Sequence, residues 1–242
     1  MSIADVTTAG SAEERVARAR AALAAVQARV GTTRDRWEAP TLPLAPSLEA
    51  LLPGGLRRGQ VIQVSGSTSL VLALVAQASR EGSWAAMIGM PQVGVVAAAR
   101  RGIELARLAL IPYPGSQAPA VAGACVDGMD VVVMGERLAL SDADRRRLAA
   151  RARERGVVIV GVGSWGAGAH VSLAVESSRW GGLGAGDGRL RSREITVAVS
   201  GRASAAVRRV SLTLDEERSR RGARVPDAAP TRAERAGIEG AA

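Results

Sequence analysis

The residues best suited to chemistry lie in the polar run Ser65-Gly66-Ser67-Thr68-Ser69, which separates an apolar segment from a helix-forming segment. A strand that passes through a Gly/Ser turn into a helix is typical of phosphate loops, in which free backbone amides surround phosphate oxygens. A nucleotide-hydrolysing loop reads G-x-x-x-x-G-K-[ST], and its lysine contacts the β and γ phosphates. The run here is short, with one glycine and no lysine. It predicts a degenerate phosphate loop at Gly66, Ser67, Thr68 and Ser69 that attracts an anion weakly, and it predicts no cofactor.

The basic residues limit further which catalytic and binding sites the chain can form. All 32 basic residues are arginine, and the formal net charge is +9. Without lysine, neither a Schiff base nor a lysine-based phosphate site can form. Arginine binds phosphates and carboxylates through paired N–H donors, so nucleic acid and acidic protein surfaces are the favoured kinds of partner.

The sequence has few residues that could bind a metal ion or act as an activated nucleophile. Cys125 and His170 are the only residues of their types, so neither a disulfide nor a Cys/His zinc site can form within the chain. The hydroxyl groups of the polar run have no histidine base beside them in the sequence, which argues against a serine nucleophile. Asp127, Asp130 and Glu136 flank an apolar run, and we expect turn and capping roles for them and no metal.

The polar run lies in a stretch of the chain where predicted strands and predicted helices alternate. Short, almost continuous apolar runs are separated by helix-forming segments, a pattern that predicts a mostly parallel central sheet flanked by helices, hence an α/β fold. Beyond residue 163 the runs follow one another without helices, which predicts antiparallel strands at one edge. The predicted strands are 60–64, 84–89, 108–111, 130–134, 157–162, 171–176, 194–200 and 207–214. The predicted helices are 69–80, 95–102, 117–126 and 141–155.

Composition divides the chain into three parts. Residues 1–47 are expected to form an N-terminal helical arm over 11–30, capped by Ser11, followed by a proline-bearing linker. Residues 48–214 form the α/β domain, and 215–242 read as a disordered basic tail. The start of the chain lacks a signal-peptide layout, and no apolar stretch reaches the roughly 18 residues that span a bilayer. We therefore expect a cytoplasmic protein without a membrane partner.

Three segments in the same order resemble RecA. Residues 54–64 (GGLRRGQVIQV) match its G-G-[LI]-x-x-G-x-[IV]-x-x-[IV] lead-in to the phosphate loop, residues 100–108 match its LGVDIDNL segment, and 130–134 (DVVVM) match its VDVIVVD strand. The resemblance runs from about residue 54 to 202 and implies a RecA-like core. It also implies lost catalysis, because Gly135 stands at the metal-binding aspartate, Pro91 at the water-activating glutamate and Gly163 near the sensor glutamine. With the missing lysine, four roles are vacant, which predicts a protein that is not an enzyme.

Within that superfamily the chain resembles the actinobacterial ImuA-prime proteins. The segments that carry this resemblance are GGLRRG, the lysine-free GSTSL and GLGAGDGRLR at residues 182–191. The resemblance implies a mutasome accessory protein of the SOS response to DNA damage. It would act with the Y-family-like protein ImuB and an error-prone replicative polymerase in translesion synthesis, on the nucleoid after damage. RecA, a second copy of the chain and single-stranded DNA are further partners to consider.

Candidate binding surfaces follow from arginine placement. The glycine-rich segment 180–193 (WGGLGAGDGRLRSR) is either a surface loop or a mobile DNA-contacting loop. Helix 141–155 is either a solvated outer helix or a surface for DNA or an acidic partner. The DNA-binding candidates are Arg179, Trp180, Arg189, Arg191 and Arg193. The partner-binding candidates are Arg218, Arg220, Arg221 and Arg224.

Two other functions stay open at this point. One is a weak nucleotide-binding or ATPase protein of the RecA family, which would use the amides at the start of the helix after Ser67. The other is a cell-division inhibitor of the SulA type, a neighbour of ImuA in the same superfamily.

Overall fold

The computed structural model describes residues 41–166, 168–183, 188–201 and 204–215. The predicted N-terminal helix at 11–30, most of the linker and the tail from 216 onward lie outside these residues. So do the partner-binding candidates Arg218, Arg220, Arg221 and Arg224, which therefore remain predictions.

One mixed sheet organises the described residues. Its eight strands lie in the order β10-β9-β8-β3-β7-β6-β4-β5, with parallel pairing from β8 to β5 and antiparallel pairing of β8, β9 and β10. A separate antiparallel pair, β1 and β2, precedes it. The strands are β1 Thr41–Leu42, β2 Leu56–Arg57, β3 Val61–Ser65, β4 Ala85–Ile88, β5 Leu108–Ile111, β6 Val131–Met134, β7 Val158–Val162, β8 Val171–Leu183, β9 Gly188–Gly201 and β10 Ser204–Asp215.

Helices cover the two faces of the sheet unequally. The α-helices are α1 Thr68–Arg80, α2 Val95–Arg100, α3 Ala118–Gly128 and α4 Asp142–Arg155. One apolar cluster joins α1 to the inner face of the sheet, including β8, β9 and β10. A second joins α3 and α4 to the parallel strands alone. Both clusters consist mainly of Val, Leu, Ala and Ile, since the chain has no Phe. The burial of these side chains is the main source of stability.

The predicted α/β class, the mostly parallel sheet and its antiparallel edge strands are confirmed, with boundaries shifted by a few residues. The main error concerns segment 180–193, which was expected to be a loop. Residues 180–183 and 188–193 instead extend β8 and β9, and Trp180 pairs with Arg193. Sequence periodicity missed this extension because glycine, serine and arginine there replace the apolar alternation of a half-buried strand.

Helix α4 begins and ends as its sequence predicts. The Ser141 hydroxyl accepts a hydrogen bond from the Asp144 amide at 3.2 Å, and the Asp144 carboxylate accepts one from the Ser141 amide at 3.0 Å. Gly156 closes the helix in the left-handed conformation, at φ 70°. These caps set where α4 begins and ends, and the buried Leu148, Ala149 and Ala152 mark the face that packs on the sheet.

Candidate functional site

The strand–turn–helix at residues 65–69 is tighter than a phosphate loop. Strand β3 ends at Ser65 and α1 begins at Thr68, so only Gly66 and Ser67 lie between them. The Ser67 hydroxyl accepts a hydrogen bond from the Leu70 amide at 3.2 Å and thereby caps α1. Gly66 has φ +83°, and a Cβ there would lie 3.1 Å from the Val175 carbonyl oxygen on β8. The turn therefore packs closely against β8, and its two residues are too few to surround a phosphate group as a phosphate loop does.

An arginine of the hairpin formed by β8 and β9 reaches this turn. The Arg193 side chain on β9 points Nη1 at the hydroxyl oxygens of Ser67, at 3.2 Å, and Ser69, at 3.5 Å. Its Nε donates to Ser178 Oγ at 2.7 Å, and its guanidinium carbon lies 5.1 Å from the Trp180 ring centroid. Sequence reasoning counted the phosphate-binding charge as vacant, whereas the structure places a guanidinium beside the start of α1. Only the pairing of distant strands reveals this contact.

Gly135, at the position that resembles the metal-binding aspartate, is packed against another backbone segment. Its amide donates to the Ile88 carbonyl at 2.8 Å. A Cβ on Gly135 would lie 2.1 Å from the Gly89 carbonyl oxygen, a distance that no side chain tolerates. Pro91, at the position of the water-activating glutamate, is exposed in the turn after β4. The backbone of Gly89 therefore leaves no room for a side chain at position 135.

Side chains also fill the carboxyl end of β7. A Cβ on Gly163 would lie 2.5 Å from Glu136 Cγ, and a Cβ on Gly161 would lie 2.6 Å from the Trp165 ring. Trp165 is only 4% exposed, and the Arg145 guanidinium lies 5.9 Å from its ring centroid. The carboxyl ends of parallel strands are where α/β proteins bind ligands. At the ends of β6 and β7, this edge is occupied by the protein's own side chains.

Among the DNA-binding candidates, the structure describes the side chains of Arg179, Trp180 and Arg193. Trp180 is 45% exposed and lies on the same face as Arg193, its partner across β8 and β9. The Arg179 side chain is 86% exposed, with its guanidinium 3.7 Å from the Glu194 carboxylate. Of Arg189 and Arg191 only the backbone is described, within β9. The structure thus brings Trp180 and Arg193 together. Arg179, the residue before Trp180, pairs with Glu194 instead.

The acidic residues around β6 bind arginine. Asp127 accepts hydrogen bonds from Arg151, with Nε at 2.6 Å, and its Oδ1 lies 3.5 Å from Arg155 Nε. Asp130 accepts from Arg58 Nη2 at 2.9 Å and from the Trp84 amide at 3.0 Å. Turn and capping roles were expected for Asp127, Asp130 and Glu136. Glu136 lies in the turn after β6, whereas Asp127 and Asp130 form ion pairs with arginines. Among the described residues, no group of three or more His, Cys, Asp or Glu side chains is placed to hold a metal ion.

His170 has a structural contact that its sequence position did not reveal. Its Nδ1 accepts a hydrogen bond from the Val61 amide at 3.0 Å, while its own amide donates to the Val61 carbonyl at 2.8 Å. The imidazole therefore takes the place of a backbone acceptor at the start of β3. This contact gives His170 a structural role.

The fold and this site define an α/β protein with one mixed sheet and a closed strand–turn–helix. Residues 50–167 match the family model described as the MT3502 N-terminal domain. Over 120 residues the chain is 41% identical to the uncharacterized protein Rv3395c of Mycobacterium tuberculosis, a stretch that covers 48% of this chain. The chain spans 59% of the length of that relative. In the part of the chain that the structure describes, no helix has the length and apolarity to cross a membrane.

Proposed function

We propose that this protein is a non-catalytic, RecA-like accessory factor of SOS mutagenesis. It acts with an ImuB-like Y-family protein and an error-prone replicative polymerase in translesion DNA synthesis. The observation that carries the non-catalytic part is the closed turn between β3 and α1, where Ser67 caps the helix and Arg193 lies beside it. The pathway itself rests on the resemblance to the ImuA-prime proteins.

The arrangement of the vacant positions supports a RecA-like origin. Ser67, Gly135 and Gly163 follow β3, β6 and β7, which are neighbours in one parallel stretch of the sheet. All three residues therefore lie at the same carboxyl edge, where the parts of a nucleotide site would have to meet. Three positions that would carry ATPase groups thus lie along one edge of the sheet but hold residues without a hydrolytic group. This arrangement supports descent from an ATPase whose fold was retained without its catalytic residues.

The test is affinity purification of the full chain from cells with and without DNA damage. The proposal predicts that a Y-family-like protein and a replicative polymerase are recovered, with more of each after damage. A parallel purification with residues 215–242 deleted asks whether the tail carries the contact. If neither protein is enriched over an untagged control in damaged cells, the proposed pathway is wrong.

Weak phosphate binding is a second candidate, and the position of Arg193 favours it. Its guanidinium lies at the start of α1, where free amides also attract anions. Calorimetry with ATP and magnesium, and with inorganic phosphate, would measure this binding in the original chain and in Arg193→Ala. Binding that is lost in the variant supports the second candidate. Absence of heat in the original chain at millimolar ligand removes it.

A further inference from the structure

The mixed sheet has two outer strands, β5 and β10, and their edges differ in charge. On β10, Arg208 donates to the Leu51 carbonyl at 3.2 Å, and Arg209 forms an ion pair with Glu176. Charged side chains on an outer strand oppose the addition of a further strand. Residues 108–126, which begin with β5, contain no charged side chain. The β5 edge of the described sheet therefore lacks this protection.

The outer edge of β5 presents unpaired backbone groups. The Gly89 amide donates to the Ile111 carbonyl at 2.9 Å, so the backbone groups of Ile111 point toward β4. Successive residues of a parallel strand point to alternate sides, so the groups of Leu108 and Leu110 point outward. The Leu108 amide donates to the Leu105 carbonyl. The Leu108 carbonyl and both groups of Leu110 have no hydrogen bond among the described residues, and such groups fit an added β-strand.

Exposed apolar side chains flank β5 at both ends. Leu105, before the strand, is 39% exposed, and Tyr113, after the strand, is 81% exposed between Pro112 and Pro114. The four residues of β5 are themselves only partly buried, whereas all four residues of β4 are buried. An added strand would therefore cover apolar surface as well as backbone groups, and both effects favour its binding.

This segment is self-complementary about Ala109. When Ala109 lies opposite its own copy in an antiparallel pair, each Leu110 amide meets the second copy's Leu108 carbonyl, which gives two symmetric hydrogen bonds. The same register brings Tyr113 of each copy opposite Leu105 of the other, because both residues lie four positions from Ala109. The exposed side chains at the two ends of β5 thus match each other across a two-fold axis.

The charge of the chain also favours this edge for contact with a second copy. Two copies repel each other wherever their surfaces are strongly basic, since each carries a formal net charge of +9. Arg107 is the one charged residue in 105–114. Its Nη1 donates to the Gly82 carbonyl at 2.9 Å, and its guanidinium carbon lies 5.7 Å from the Trp84 ring centroid. This charge is therefore directed toward the start of β4, away from the outer edge of β5.

We infer that β5 pairs in antiparallel orientation with β5 of a second copy of this chain, which joins the two sheets into one. The contact consists of the paired strand edges and of Tyr113 packed on the second copy's Leu105. Because the contact is small, the dimer forms reversibly in the micromolar range. This inference does not depend on the proposed role in mutagenesis.

Sedimentation velocity of the purified full chain tests for the dimer, over about 1 to 200 µM to span the expected range. The mean mass should rise with concentration from that of one chain to that of two. A chain that stays monomeric throughout this range overturns the inference.

A pair of variants at Leu110 tests whether the strand edge makes the contact. Leu110→Pro removes the outward amide without removing a bond to β4, and outer strands tolerate proline at such positions. It should weaken dimerisation about tenfold or more, because both symmetric hydrogen bonds are lost. Leu110→Ala shortens the same side chain but keeps the amide, so dimerisation should stay within about threefold of the original. A dimer unaffected by Leu110→Pro, or weakened equally by both changes, overturns the inference.

A second pair of variants leaves β5 intact. Tyr113→Arg places a positive charge at the contact and should weaken dimerisation about tenfold or more, since it removes apolar burial and adds like-charge repulsion. Val207→Arg is the matched control, because Val207 is an exposed apolar residue on β10, at the opposite edge. Thermal melting confirms that each variant is folded. Equal weakening in the two variants would indicate general charge repulsion and overturn the inference.

A disulfide tests the register. In a Cys125→Ala background, Ala109→Cys would place two Cα atoms about 4.5 Å apart across the two-fold axis, within disulfide range. Mild oxidation should therefore give a covalent dimer, whereas Ser211→Cys on the exposed face of β10 should give none. A dimer without the Ala109→Cys disulfide overturns the antiparallel pairing. Polymerases recovered with a monomeric chain would overturn this inference alone, and a dimer without recovered polymerases would contradict the proposed pathway alone.

Discussion

Arg193 Nη1 lies 3.2 Å from the Ser67 hydroxyl oxygen, although the two residues are separated by 126 positions in the chain. This contact ties the hairpin of β8 and β9 to the first turn of α1. It also brings a positive charge to a helix start that lacks lysine. The same residue donates to Ser178 and lies close to Trp180, so one guanidinium joins the hairpin to the start of α1.

Replacing Arg193 should therefore loosen the hairpin. Arg193→Ala removes hydrogen bonds to Ser67, Ser69 and Ser178, and we expect the free energy of unfolding to fall by about 1 to 2 kcal/mol. Denaturant melts measure the change, and hydrogen exchange in β8 and β9 locates it. Arg179→Ala is the matched control, because its exposed ion pair with Glu194 should contribute less than about 0.5 kcal/mol. Equal losses in both variants would contradict a specific anchoring role.

Single-stranded DNA binding, where it occurs, should depend on Trp180. Trp180→Ala removes a surface for base stacking and should weaken binding about tenfold, since stacking contributes roughly 1 to 3 kcal/mol per base. Trp84→Ala is a close control because Trp84 is 44% exposed against 45% for Trp180. Each ring also has an arginine nearby, Arg107 for Trp84 and Arg193 for Trp180. Fluorescence anisotropy with a labelled oligonucleotide makes the comparison, and equal effects would argue against a specific site.

Introducing an aspartate at Gly135 should destabilise the fold. In Gly135→Asp the new Cβ would lie 2.1 Å from the Gly89 carbonyl oxygen, so the backbone must shift and stability should fall by more than about 3 kcal/mol. Gly94→Asp is the control, because nothing lies within 4 Å of its Cβ position and aspartate is a good N-cap for α2. Thermal melting should show a large loss for the first variant and little change for the second. A well-folded Gly135→Asp protein would refute the close backbone packing.

The cap of α4 should be visible in the dependence of stability on pH. Hydrogen bonds from the Ser141 hydroxyl and then from its amide lower the pKa of the Asp144 carboxyl from its ordinary value. Because the folded pKa is depressed, this contribution is present above the unfolded value of about 3.9 and is lost as pH falls below it. In Ser141→Ala the pKa should move back toward the ordinary value. A carboxyl-detected NMR titration of Asp144 measures the shift.

The same Ser141→Ala variant should lose about 1 kcal/mol of stability at neutral pH, as expected for a lost serine N-cap. Its stability should also fall less steeply than that of the original chain below about pH 4, because the depressed carboxyl pKa is partly relieved. If the stability of the two proteins falls equally below about pH 4, Asp144 does not contribute to the pH dependence in that range.

The sequence alone determined the local features of this protein. Alternating apolar runs and helical segments specify β3 to β7 and α1 to α4, because side-chain periodicity reports neighbours two to four residues apart. Ser141 and Gly156 mark the ends of α4 for the same reason, since caps act within one turn. The absence of lysine likewise rules out a lysine-based phosphate site without reference to any fold.

Only the tertiary structure decided what the site contains. The meeting of Arg193 with Ser67 depends on the register of β8 and β9 and on the pairing of β8 with β3, neither of which leaves a local periodic signal. The contact between Gly135 and Gly89 depends on β6 lying beside β4. Contacts between distant segments arise from sheet order and register. For this reason the sequence indicated a degenerate phosphate loop, whereas the fold shows a closed turn with Arg193 bound to it.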